Sequence, residues 1–70
     1  MTLEEKISLI EETIEADKLN ADMELKDVDV WDSLGRLSII IMFDQKFNKN
    51  LNAETLAAFK TVRDIADEME

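Results

Sequence analysis

Few side chains in this 70-residue sequence can do chemistry, and the missing types narrow the field first. There is no histidine and no cysteine. A Ser–His or Cys–His nucleophilic site therefore cannot be built. A disulfide and a zinc site of the usual nitrogen and sulfur ligands are excluded as well. Carboxylates are abundant, but so short a chain has little room for a buried cleft that would tune them for acid–base work. Asp27, Asp29 and Asp32 invite a calcium loop. Such a loop starting at Asp27 needs glycine at its sixth position and glutamate at its twelfth, and Asp32 and Ser38 stand there instead. The expectation is no metal and no catalysis by the chain itself.

What remains is Ser33, in the tripeptide Asp32-Ser33-Leu34. A serine in the first turn of a helix lies near free N–H groups and the positive end of the dipole, a setting that suits an anionic group. Serine at a helix start is also a common N-cap. Asp32 can supply the cap, which would release the Ser33 hydroxyl for another use. On residue pattern alone both readings stay open.

The elements around Ser33 follow from periodicity. The spacing of Leu3, Ile7, Ile10 and Ile14 predicts a first helix over 2–16, opened by a capping box between Thr2 and Glu5. Residues 17–32 read as a long connection anchored by Leu19, Met23, Leu25, Val28 and Val30. Val28 and Val30 alternate with aspartates as in a short strand, but no second strand is available to pair with it. A loop this long in a compact domain is often functional. A second helix should start at Asp32 or Ser33 and end near Phe47 or Asn48. Ile40, Phe43 and Phe47, joined by Ile39, give it a core stripe. Leu34, Leu37 and Ile41, with Met42 nearby, give it a second apolar stripe. A helix apolar on more than one side either sits centrally or offers a strip to a partner. Asn52 can cap a short third helix to Phe59, and Thr61 a fourth through Met69. The fold class is all-α: a four-helix bundle in a single domain spanning 1–70. With 46% hydrophobic residues, its stability must rest on aliphatic packing.

The net charge of −9 argues against nucleic acid, which requires a basic footprint, and against anionic membrane surfaces. No stretch approaches the apolar length of a membrane span, and the acidic N-terminus does not read as a signal or transit peptide. The expected location is cytoplasmic, as a monomer, with basic proteins as partners.

Here the sequence resembles the acyl carrier protein family. The resemblance spans nearly the whole chain. It rests on Asp32-Ser33-Leu34, on the apolar helix running to Phe47, and on the T-V-x-D-I pattern at Thr61, Val62, Asp64 and Ile65. It implies that a phosphopantetheinyl transferase moves 4'-phosphopantetheine from coenzyme A to Ser33, and that cargo is then held as a thioester on the arm's thiol. It implies acyl-activating ligase or synthase and transferase enzymes as further partners, with the chain non-catalytic. Leu34, Leu37 and Ile41 match the family's docking stripe, with Leu37 the first candidate of the three for partial burial. Met42 can line a groove for an acyl chain or fill the core. Asp32 can help position the transferase or a metal during loading, or simply cap.

Two departures from the family pattern point away from housekeeping fatty acid synthesis. Carriers of that pathway usually have glycine two residues before the motif's aspartate and a small residue directly before it. Val30 and Trp31 stand there. Such carriers also place acids along the second helix. Here Leu34 is followed by Gly35 and Arg36, and 33–48 holds only Arg36, Lys46 and Asp44 as charges. The acidity gathers on the first helix instead. These features fit a specialised carrier whose partner meets Arg36. An aminoacyl or peptidyl carrier of the same fold would use Ser33 identically. An adaptor that has lost modification is the third reading.

Overall fold

The computed structural model describes residues 1–69. It contains four helices: α1 (Leu3–Ile14), α2 (Ser33–Phe47), α3 (Ala53–Ala58) and α4 (Val62–Glu68). A single 3-10 turn, Leu25–Asp27, interrupts the long connection between α1 and α2. No strand forms among the described residues, and the all-α expectation holds.

Each helix starts where a side chain satisfies its free N–H groups. Thr2 and Glu5 form the capping box of α1, with Thr2 Oγ1 accepting from Glu5 N–H at 3.1 Å and Glu5 Oε1 from Thr2 N–H at 2.8 Å. Asp32 caps α2, Asn52 caps α3, and Thr61 with Asp64 forms a second capping box at α4. Two helix ends are set by left-handed residues, Glu15 (φ 57) and Asn48 (φ 52). Glu15 therefore ends α1 before Ala16, the residue to which periodicity extended it. Two bonds fix that reversal. Ala16 N–H returns to the Glu11 carbonyl at 3.0 Å, and Leu19 N–H donates to Glu11 Oε2 at 2.7 Å. At the end of α2, Lys49 N–H closes onto the Phe43 carbonyl at 3.1 Å. The Lys49 ammonium donates to the Glu68 carbonyl at 2.7 Å, a cation at the negative end of α4.

The core is wholly apolar: no polar or charged side chain is buried among the described residues. α1 packs against α2 and α4. Burial grows along α1, from exposed Leu3 through half-buried Ile7 to fully buried Ile10. On α2 the seam is Ile39, Met42 and Phe43, whereas Ile40 and Phe47 are half-buried at its margin. Of the expected stripe, Ile39 and Phe43 are fully buried, whereas Ile40 and Phe47 lie at the margin and Met42 takes an inner place. Phe47 still meets Phe43 at a centroid separation of 5.4 Å.

The long connection folds back as an apolar-anchored loop, with Leu19, Leu25 and Val28 buried. It is fastened to the start of α4 by backbone bonds. Leu25 N–H donates to the Lys60 carbonyl at 2.8 Å, Val62 N–H to Met23 at 3.0 Å, and Arg63 N–H to Ala21 at 2.9 Å. The only extended pairing among the described residues is a lone bridge between Glu24 and Thr61. It lies upstream of the Val28 and Val30 alternation, which turns instead of pairing. No described helix is long and apolar enough to cross a membrane.

The Asp64 carboxylate accepts from Lys60 N–H at 2.8 Å and Thr61 N–H at 3.1 Å. These bonds favour the charged form and hold its pKa below the ordinary 3.8. A carboxylate lowered in the folded state adds stability above its unfolded pKa, and that stability is lost as pH falls through the folded value. Urea unfolding across the acid range should therefore show a shallower pH dependence for Asp64→Asn than for the wild type, with lower stability at neutral pH. Thr61→Ala should cost about 1 kcal/mol, as lost caps do. An unchanged acid limb in Asp64→Asn would remove this cap from the account.

Candidate functional site

Ser33 is the first residue of α2 and is exposed. The connection delivers Asp32 in an extended conformation, at φ −115 and ψ −165. Asp32 Oδ1 accepts from Gly35 N–H at 3.0 Å, and its carbonyl accepts from Arg36 N–H at 2.9 Å. The cap is therefore made by Asp32, and the Ser33 hydroxyl takes no part in it. Ser33 N–H and Leu34 N–H donate no hydrogen bond among the described residues, and the first turn of α2 holds no acid. Such a helix start receives a phosphate-bearing group well: unused donors, a favourable dipole and an accessible hydroxyl. No described cluster of three or more acids is placed to hold a metal ion, and the capping bond of Asp32 uses Oδ1.

Gly35, two residues on, is a position the sequence reading did not single out. It is buried, and a Cβ there would collide with the Val30 carbonyl oxygen. The glycine is needed for a close approach between α2 and the incoming connection, with no unusual φ involved. The signal was present in the sequence, since this is the chain's single glycine and it falls inside a helix.

The side chains expected beside Ser33 divide in two. Leu34, Leu37 and Ile41 are exposed at 74%, 52% and 46%, and their spacing places them along one side of α2. Ile41, and not Leu37, is the most covered of the three. Arg36 is exposed. Of the two roles open to Met42, the fold gives it the core: at 5% exposure it belongs to the core seam, with an edge on a shallow groove shared with Thr13, Ser38 and Ile41. It faces α1 because it lies three residues after Ile39, on the same buried side. Trp31 is half-buried against the core, and it lines a cleft of about 530 Å³ that also takes in Arg36 and part of α3.

A family model described as a phosphopantetheine attachment site matches residues 3–69. Comparisons with curated proteins and with solved structures gave no match. In carriers of this kind the domain is the site of covalent 4'-phosphopantetheine attachment, and it is generally non-catalytic.

Gly35→Ala tests how the site is positioned. In an open helix this change stabilises, by up to about 1 kcal/mol in the interior. Here the added methyl must displace the Val30 carbonyl, and overpacking of this type costs about 1–3 kcal/mol. Urea titration should find the variant less stable than the wild type. A more stable variant would show that the approach of α2 to Val30 is loose.

Proposed function

We propose, from the premise that this chain belongs to the phosphopantetheine attachment site family, that it is an acyl carrier whose Ser33 bears the arm. The observation that supports this most is the division of labour at the start of α2. Asp32 caps the helix, and the exposed Ser33 hydroxyl stands free beside unused N–H donors. In loading, Ser33 Oγ bonds to phosphorus as the diphosphate linkage of coenzyme A breaks and the nucleotide portion leaves. The serine proton passes to the transferase. The bound arm supplies a thiol that holds cargo as a thioester. The chain's own contribution is to present Ser33, to offer N–H groups to the phosphodiester, and to dock.

Docking is assigned to the Leu34, Leu37 and Ile41 stripe and to Arg36, exposed on another side of the same turns of α2. Exposed aliphatic side chains in a row on an otherwise charged surface mark a contact face. Interfacial charge chiefly sets encounter rate and excludes wrong partners. Arg36 repels the basic patches that read acidic second helices, so the partner ligase or synthase carries an acidic or neutral group opposite it. We assign the protein to a specialised pathway, acting in the cytoplasm as a single carrier unit over 1–70.

Intact mass after incubation with coenzyme A and a broad-specificity transferase tests the attachment. The wild type should gain one phosphopantetheine, and Ser33→Ala none while keeping its helical circular dichroism. Modification of Ser33→Ala, or none of the wild type with several transferases, would overturn the reading. The docking face is tested by kinetics. With a transferase that requires acidic carriers, Arg36→Glu should load faster than the wild type, with a gain that shrinks as salt rises. Leu37→Glu should load slowly at unchanged melting temperature. If its stability falls in step with loading, Leu37 serves packing and the stripe is no docking face.

A further inference from the structure

The cleft beside Ser33 has a charge unlike the rest of the molecule. Its floor is apolar, from Leu25, Trp31, Leu56 and Phe59. Its rim carries Lys26, Arg36 and Lys60 against a single carboxylate, Glu24. In a chain of net charge −9 with only 8 basic residues, three cations line one concavity. Lys26 is drawn to Glu24 at 3.5 Å. Arg36 enters no ion pair among the described residues. The volume, about 530 Å³, is within the range that holds a small molecule. Ala53 and Ala57 on α3 line it with minimal bulk.

The cleft also lies within reach of the arm by sequence geometry. Trp31 precedes Ser33 by two residues. Arg36 follows it by three, a neighbouring position on the helix surface. We propose that this cleft seats the far end of the thioester cargo and selects an acyl group that ends in a carboxylate. The inference rests on the carrier reading of Ser33. The methylenes of such a cargo would lie against Trp31, Leu56 and Phe59. Its carboxylate would meet Arg36 and Lys60, with the planar guanidinium the better partner for a two-oxygen anion. A cargo ending in a free ammonium, as an aminoacyl group does, would meet the same cations with the wrong sign. The proposal therefore also separates acyl from aminoacyl carriage.

The test loads Ser33 from hexanoyl- and adipoyl-coenzyme A, which share a chain length and differ in the terminal carboxylate. Intact mass confirms loading. Cleavage of each thioester by hydroxylamine is then timed and divided by the rate for the corresponding free coenzyme A thioester. The adipoyl carrier should be protected about two- to fivefold more than the hexanoyl carrier, the size of a partly exposed charge contact. Trp31 emission should differ between the two forms. Arg36→Gln and Lys60→Gln should each reduce the difference in protection while leaving hexanoyl protection unchanged. Equal protection of the two cargoes, or a difference that survives both substitutions, would overturn the proposal while leaving Ser33 as the attachment site. Absence of any mass gain would instead overturn the carrier reading itself, and this inference with it.

Discussion

The placement of Ser33 depends on backbone hydrogen bonding between the long connection and the start of α4. A helix start leaves N–H groups without partners inside the helix. At α4, Val62 and Arg63 N–H are satisfied by the Met23 and Ala21 carbonyls, while Thr61 and Asp64 cap each other. The connection thus serves as part of the cap of a helix far along the chain. In return it is held at Ala21, Met23 and Leu25, and from there Leu25 and Val28 bury as anchors. A chain fastened in this way brings Val30 against Gly35 and turns Asp32 into the cap of α2. The exposed serine is the end point of that series of constraints.

The helix starts were legible in the sequence because each is written in side chains. Thr2 with Glu5, Asp32, Asn52, and Thr61 with Asp64 all cap where their spacing places them. The end of α1 was less legible. Glu15 adopts a left-handed conformation that costs roughly 1–2 kcal/mol for an ordinary residue. The return bonds to Glu11 that accompany it involve a residue whose sequence position reads as plain solvated surface. The core seam of α2 was ambiguous because Ile39, Ile40 and Ile41 are consecutive and fan over about 200° of the helix, so that several rotations bury one of them. Packing against α1 selected Ile39, and with it Met42.

At the site, Asp32, Ser33 and the Leu34, Leu37 and Ile41 stripe could be located from the sequence, since all lie within one helix and its cap. The cleft could not. Its cations come from positions 26, 36 and 60, which only the folded connection and α3 bring together. The bonds between the connection and α4 were equally hidden, because backbone groups pair with no residue signature. The charge contrast that gives the cleft its sign is thus a product of topology.

The short helix α3 has a consequence of a different kind. Its described hydrogen bonds are local, such as those of Thr55 to Asn52 Oδ1 at 2.8 and 3.0 Å. No described bond ties 53–58 to another helix. It is held by Leu56 and by its neighbours Leu51 and Phe59, each still 9% exposed. Apolar burial is non-directional and scales smoothly with area, at about 25 cal/mol per Å². Displacing α3 outward therefore meets a gradual resistance with no abrupt bond-breaking threshold. The wall formed by Ala53 and Ala57 thus rests on apolar contact, while the opposite wall, built from the connection and α2, is braced by backbone bonds. Under the proposed reading, a bulky cargo would press first on the α3 side of the cleft and leave the start of α2 in place.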